Sequence, residues 1–321
     1  MPFNHSRSRS VRTFVRFPSV SWLLLTLLLG SHSFLVRVWA EDAAPCPPCY
    51  DSIGVYQSPI DFVVHFNNQP AGIPDGAFYS RTGSAAFYAP TYPAGTTNFE
   101  IHYSDVGTHD QNIKYYNSSP ARIRMIFKAR FYYLIEFHFH SPSEHRFTGT
   151  NGRTFQMELH LVFRESPDPK DTRPGLVIGV PILVRGSSAF DASLARILNG
   201  GSLREGQIVP VPDTLFTSCL NYPNADNFPP SLIYPGSLTT PPFTEGYTWI
   251  VVNGFVAQTA VITPATLAVF KGLTIGGSPI GASRDPQAPW SRPLLYFDPP
   301  PRSNSAALPI EPKIEADSAA K

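Results

Sequence analysis

His138, His140 and His160 are residues of this 321-residue chain whose type and spacing could hold a metal ion. The first two stand at i and i+2 in EFHFH, the third in MELH. Successive side chains of a strand point to opposite faces. A strand over Phe131–His140 therefore puts Tyr132, Leu134, Glu136, His138 and His140 on one face. Phe131, Tyr133, Ile135, Phe137 and Phe139 fill the other, which must be a buried core face. A second strand is expected over Phe155–Phe163, with Phe155, Met157, Leu159, Leu161 and Phe163 on one side and Gln156, Glu158, His160 and Val162 on the other. Asn151-Gly152 between them is a hairpin turn signal. If the strands pair, three imidazoles converge. Three neutral imidazoles leave the fourth tetrahedral position of Zn²⁺ open for water, as a catalytic zinc site needs. Glu136 and Glu158 each precede a histidine by two residues on its own face. That placement suits acceptors that orient a ligand imidazole and raise its basicity. A lone strand histidine is usually structural; three on one inward face, with acids at matching offsets, favour a metal.

The residues around this constellation carry a family resemblance. HFHSPSEH (His138–His145) with MELHLV (Met157–Val162) resembles the zinc-binding core of the α-class carbonic anhydrases. YPGSLTTPPFTEGYTWIV (Tyr234–Val251) is similar to that family's threonine loop, and QSPID (Gln57–Asp61) to its early strand. QSPID alone is weak; the three blocks together are specific, and they extend from Gln57 to about Leu273. The resemblance implies a mainly β (α+β) fold: a large twisted, mostly antiparallel sheet with short peripheral helices. It implies reversible hydration of carbon dioxide to bicarbonate and a proton by water activated on Zn²⁺. Thr239 would orient that water and give its own proton to Glu144, and Thr240 would position bicarbonate. His145 would pack beneath the site. Val162, Val177, Leu238 and Trp249 would line the carbon dioxide pocket.

Several positions depart from the family pattern. Glu136 stands where glutamine is usual, and Tyr247 where a small valine lines the pocket. The proton-shuttling histidine is matched by Thr96 or Thr97, neither of which carries a proton at neutral pH. Glu100 and His102 alternate onto one face, which leaves His102 as a candidate relay. Only Glu41–Tyr56 precedes QSPID in the mature chain, so Tyr50 or Tyr56 would have to stand in for the family's active-site tyrosine. Related secreted members often bridge an N-terminal cysteine to the position after Thr-Thr-Pro-Pro. Phe243 occupies it here, so that bridge is absent or rerouted to Cys219. A catalytically weak carbonic-anhydrase-related binding or mineral-matrix protein, and a zinc esterase for small activated esters, stand beside the hydratase reading. The intact histidine triad favours the enzyme; Tyr247 and the missing shuttle favour the binding protein.

The rest of the chain frames this domain. Residues 1–40 read as a secretory signal, with Arg7, Arg9, Arg12 and Arg16 before the short apolar run Trp22–Leu29 and a cleavage site at Val38-Trp39-Ala40. That run is too short to span a membrane, and the mature chain is expected to have no transmembrane anchor. Removing the leader's five Arg from the 25 basic residues leaves 20 against 24 acids, a net charge of −4 that argues against nucleic-acid partners. Charged residues make up only 15% of the chain and aromatics 13%, with 34 Pro and 22 Gly, which suits a β-rich domain. The expected organisation is a segment over 41–56 carrying Cys46-Pro-Pro-Cys49, one domain over 57–298, and a disordered Pro-rich, polar tail over 299–321. Three cysteines (Cys46, Cys49, Cys219) in an oxidising compartment suggest one bridge and one odd thiol. Asn117-Ser118-Ser119 is a glycosylation sequon, read here in a polar turn. Gly175–Val184 reads as a buried strand and Pro264–Leu273 as a short helix. Oligomeric state is left open.

Overall fold

The run LVIGVPILV has no polar alternation, and such a run suits a strand covered on both faces. In the computed structural model it is a central strand of one large sheet. The structure describes residues 56–62, 87–104, 111–147, 155–168, 170–220, 228–254, 257, 259–287 and 292–297. In chain order the strands are β1 (Phe87–Thr91), β2 (Thr96–Ser104), β3 (Asn112–Asn117), β4 (Arg124–Phe127), β5 (Arg130–His140), β6 (Met157–Arg164), β7 (Leu176–Val184), β8 (Ile208–Pro212), β9 (Ser231–Ser237), β10 (Glu245–Val252), β11 (Val261–Ile262), β12 (Thr274–Ile275), β13 (Ser278–Pro279) and β14 (Leu295–Phe297). The helices are α1 (Ala189–Leu198), α2 (Thr214–Leu220) and α3 (Pro264–Lys271).

Among the described residues twelve strands form the sheet, in the order β14-β9-β10-β7-β6-β5-β3-β2-β8, with β4 beside β5, β1 beside β4 and β11 beside β7. β12 and β13 form a separate hairpin. Among the described strands every pairing is antiparallel except β7 with β10 and β7 with β11. This is the large, mostly antiparallel sheet with short helices expected from the sequence.

Strand alternation divides the core into two layers. Leu161, Ile178 and Ile250 join a cluster that includes Phe190 and Leu194 of α1, Phe216 of α2 and Phe270 of α3. Their neighbours Val162, Val177 and Trp249 join a second cluster with Ile60, Phe62 and Phe147. Each buried Leu, Ile or Val contributes about 1.5–3 kcal/mol. A one-residue slip would turn a whole row out of its layer, so the helix-covered cluster fixes the register that the other layer uses. α3 starts as its residues dictate: the Thr263 hydroxyl accepts from the Thr266 N–H, and Pro264 sits in the first turn, where no N–H is needed.

Two strand expectations need correction. In the β5–β6 pairing, Leu134 stands opposite Phe163 but Glu136 opposite Val162, so two residues of β5 face one of β6. This β-bulge at Ile135 reverses the alternation. Glu136, His138 and His140 share the expected face, but Leu134 lies in the helix-side cluster with Phe137 and Phe139, and Tyr132 packs against it. Ile135 lines the cavity on the histidine side instead. Phe155 lies before β6 and belongs to the other cluster, its ring 5.7 Å from that of Phe147. It does not share a face with Met157 and Leu159.

Asn117 ends β3 rather than sitting in a polar turn. Its side chain is buried; Nδ2 donates to the Leu134 carbonyl at 3.0 Å, and Oδ1 accepts from the Ser119 N–H at 2.9 Å. The turn placement of the sequon is therefore corrected: Asn117 lies at the end of a strand, with its amide turned to the Leu134 carbonyl. Cys219 is a free, buried thiol of α2 whose Sγ donates to the carbonyls of Leu215 and Phe216. The leader at 1–40, Tyr50, Cys46, Cys49, Asn151-Gly152 and the tail at 299–321 lie outside the described residues. Among the described residues no helix is long and apolar enough to cross a membrane.

Candidate metal centre

Register brings the histidines together. His138 stands directly opposite His160, and His140 opposite Glu158. The ring centroids are 5.0 Å (His138–His140), 5.2 Å (His138–His160) and 4.7 Å (His140–His160) apart. One nitrogen from each ring lies within 4.8 Å of the other two. All three side chains are buried.

The opposite edge of each ring meets an acceptor. His138 Nδ1 donates to Glu136 Oε2 at 3.0 Å, and His140 Nδ1 to the Ala282 carbonyl at 2.8 Å. His160 Nε2 lies 3.1 Å from Glu158 Oε1, a close approach that falls short of hydrogen-bond geometry. A ring nitrogen facing an acceptor carries the proton, so the other nitrogen keeps its lone pair. Nε2 of both His138 and His140 is buried without a hydrogen-bond partner. Orphaned lone pairs of this kind are costly unless something binds them, and a metal ion that takes imidazole nitrogen fits.

Charge agrees with that donor set. Burial depresses the pKa of His138 and, more strongly, His140, which favours the neutral ring a metal requires. Burial also works against the Glu136 carboxylate. The charges of His138 and Lys114, the His138 hydrogen bond and His160 outweigh it and hold Glu136 at about 2. Glu158 resists burial in the same way through His145 and His160, and stays well below the usual carboxylate range.

A second cluster, His145, Glu158 and His160, also has donor atoms close together. It is saturated by hydrogen bonds. His145 Nδ1 meets Glu158 Oε1 and its Nε2 meets the Tyr234 hydroxyl, both at 2.6 Å. Glu158 Oε2 accepts from the N–H groups of Glu144 (2.9 Å) and His145 (2.8 Å). With both His145 nitrogens engaged, this cluster is a support beneath His160 rather than another metal site.

Thr239, Thr240 and Glu144 are buried beside the triad. Glu144 Oε1 accepts from the Arg284 N–H at 2.8 Å, and its Oε2 lies 3.9 Å from His160 Nδ1. Burial pushes Glu144 up to about 7, against the opposing pull of His160, the Arg284 N–H and the Thr239 hydroxyl. Val162, Val177, Leu238, Thr239, Thr240, Tyr247 and Trp249 line one cavity with Glu136, His138 and His160. The sequence reading missed four of its wall residues: Ile135, Lys114, Tyr116 and Arg164. Arg164 was within reach, because it continues the alternation Glu158, His160, Val162. Ile135 was hidden by the bulge, and Lys114 and Tyr116 by the unknown placement of β3 beside β5.

The Tyr247 ring forms part of the wall. Burial raises its pKa, while Arg164, by charge and by hydrogen bond to the phenol, lowers it. His102 does not line the cavity. It pairs with Lys114 and Glu100 with Tyr116, so both keep to the cavity face but one strand farther out. The His102 side chain is 44% exposed and lies between Glu100 Oε1 (3.4 Å) and Glu205 Oε1 (3.2 Å). Tyr116, between His102 and the site, is pushed up to about 12 by the Glu136 charge and by burial, so it stays protonated at neutral pH. Thr97 is buried on the opposite face with Phe99 and Ile101, and Thr96 is exposed. A shuttle position at Thr97 is therefore excluded by the strand's phase.

The family described as "Eukaryotic-type carbonic anhydrase" matches residues 37–276. Alpha carbonic anhydrase 4 of Arabidopsis thaliana is 28% identical over 249 residues, 77% of this chain and 76% of that protein. Carbonic anhydrase Nec1 of Nesocodon mauritianus is 32% identical over 133 residues, 40% of this chain and 43% of its own length. Matches to a Nostoc and a Neisseria gonorrhoeae carbonic anhydrase span 46% and 58% of those proteins, so the chain spans about half the length of these relatives. Among solved structures, the carbonic anhydrase Cah3 from Chlamydomonas reinhardtii, in complex with acetazolamide, has a TM-score of 0.54 at 22% identity, covering 80% of this chain and 98% of that one. Dioscorin complexed with ascorbate has a TM-score of 0.55 at 20% identity, covering 78% and 88%. At these identities the structural likeness is one of fold.

Proposed function

The chain belongs to the eukaryotic-type carbonic anhydrase family, and from that premise we propose that it holds one Zn²⁺ on His138, His140 and His160 and hydrates carbon dioxide reversibly to bicarbonate and a proton. The observation that carries this reading is the pair of orphaned Nε2 atoms on His138 and His140, in rings whose opposite nitrogens are held by acceptors. Bound there, zinc supplies a water acidified to a pKa of about 7 and hence a nucleophile at neutral pH. Glu144 accepts a hydrogen bond from the Thr239 hydroxyl, which leaves the Thr239 oxygen as an acceptor toward the attacking water and fixes its orientation. Thr240 holds bicarbonate. Val162, Val177, Leu238 and Trp249 exclude water from the apolar substrate. The leader at 1–40 supports secretion of the mature chain. Zinc analysis with stopped-flow hydration on the purified mature chain tests the reading: about one zinc per chain and measurable turnover are expected. A folded chain that binds no zinc, or binds it without turnover, would sink it.

A binding protein of low activity is the second reading, and Tyr247 is the observation that favours it. A buried phenol occupies the wall beside Val162 and Val177. Tyr247→Val is expected to raise kcat/KM severalfold by opening space for the substrate, with zinc content unchanged. Unchanged kinetics in a zinc-loaded variant would show that the ring does not crowd the substrate.

Glu136 is expected to tighten the metal. As a buried carboxylate held at about 2, it stays ionised across the working pH range and draws charge through His138. Glu136→Gln should weaken zinc roughly 10–100-fold in competition with a chelator. Equal affinity would mean that the carboxylate is balanced by Lys114 instead.

A further inference from the structure

Arg284 meets both Glu144 and the loop that carries Thr239, without lining the cavity. Its backbone N–H donates to Glu144 Oε1 at 2.8 Å. Its Nη1 donates to Gln57 Oε1 at 3.1 Å and to the Ser58 carbonyl at 2.7 Å. Its guanidinium carbon lies 3.8 Å from the centre of the Phe243 ring. Arg284 is not among the residues of the cavity wall.

Phe243 is the residue that closes the loop carrying Thr239 and Thr240. Its N–H donates to the Thr240 carbonyl at 2.9 Å, and the Leu238 N–H reaches the Thr244 carbonyl at 2.9 Å. Its own carbonyl accepts from Gln57 Nε2 at 3.3 Å. Phe243 has φ +58°, the left-handed region that a bulky side chain rarely adopts. Such a conformation persists only where the surroundings hold it. Here the surroundings are the Arg284 guanidinium on one side and Gln57 on the other. Two residues before Arg284, the Ala282 carbonyl accepts from His140 Nδ1. One short strap thus meets a triad histidine, the Glu144 carboxylate and the threonine loop.

We propose that Arg284 is a positioning residue: its side chain clamps the Thr239–Phe243 loop to the Gln57–Ser58 segment, and so keeps the Thr239 hydroxyl in register with Glu144. The clamp needs a flat cation. A guanidinium stacks on a ring and donates sideways at the same time, which an ammonium does not. The proposal rests on the hydratase reading for its kinetic consequence, but not for its structural one.

The test is a set of variants of the mature chain with two independent readouts. In zinc-loaded protein, Arg284→Ala is expected to lower kcat roughly 10–100-fold with KM and zinc content little changed, because misplacement costs rate rather than binding. Arg284→Lys should recover little of the loss. Phe243→Leu, which keeps apolar bulk but removes the ring face, should reproduce much of it and serves where Arg284→Ala does not fold. In a Thr239→Ala background the Arg284 substitution should cost almost nothing further, since it acts through that hydroxyl. Hydrogen exchange at the Leu238 and Phe243 amides should quicken in Arg284→Ala, with or without zinc, while the β5 and β6 amides keep their protection. Undiminished kcat, an equal loss in the Thr239→Ala background, or unchanged exchange at Leu238 and Phe243 would each overturn the proposal. A parent chain that binds zinc without turnover would remove the hydratase reading and leave the exchange comparison to decide the clamp.

Discussion

Replacing His138, His140 or His160 by alanine is expected to abolish stoichiometric zinc binding. Each ring contributes one of three buried donors. Loss of an outer partner typically costs 10–100-fold in affinity, and loss of a ligand should exceed that. Zinc-dependent thermal stabilisation should vanish with it. A metal present at about a thousand times its Kd stabilises the folded state by about 4 kcal/mol, so the parent's Tm should fall on chelation while the variants' should not. The metal-free variants should also differ among themselves. His138→Ala removes the hydrogen-bond partner of the buried Glu136 carboxylate and leaves Lys114 as its main counter-charge. Leaving a buried acceptor without its hydrogen-bond partner costs about 1–3 kcal/mol, and more for a charged one. His160→Ala leaves Glu158 with His145 and two backbone N–H groups, so its cost should be smaller. Atomic absorption and calorimetry on the three variants check both statements. One zinc retained per chain in all of them would exclude this triad as the metal site.

Thr239→Ala and Glu144→Gln are each expected to lower hydration about 100-fold or more, the size of effect found when an oriented hydrogen-bonding group is removed from a reacting centre. The reasoning is directional. A hydroxyl whose hydrogen is committed to a hydrogen bond with a carboxylate can only accept from what stands in front of it. Glu144 is fixed for that role by the Arg284 N–H and by burial beside His160. A glutamine at this position can turn its NH₂ toward Thr239, and the hydroxyl then loses its preferred direction. Zinc content should remain unchanged, since neither residue supplies a donor to the triad. The double variant should be little worse than either single one, because the two act as one unit. Stopped-flow rates on the four proteins complete the cycle. Additive losses in barrier height would mean that Thr239 and Glu144 act separately.

Much of the site was legible in the amino-acid order alone. Period two puts Glu136, His138 and His140 on one face, and Glu158, His160 and Val162 on another, for reasons internal to any strand. Thr263-Pro264 marks a helix start, and LVIGVPILV marks a strand with no solvated face. These are local facts, set by sterics and by the need to bury apolar groups. The rest depended on which strand lies beside which. The bulge at Ile135 arises from how β5 meets β6, and it alone decides that Leu134 enters the core while Ile135 enters the cavity wall. Lys114 and Tyr116 reach the site because β3 is the neighbour of β5, and Thr97 faces the core because of the phase of β2. The third imidazole acceptor, the Ala282 carbonyl, comes from 142 residues away. Alternation specifies which side a residue takes; it contains no information on partners so distant. Asn117 shows the same limit in reverse, since its sequon is local but its hydrogen bond to the Leu134 carbonyl is tertiary. The donors and their faces follow from residue order and strand geometry. Tertiary structure decided which acceptor orients each of them, because buried polar groups must find partners wherever the packed chain brings one within reach.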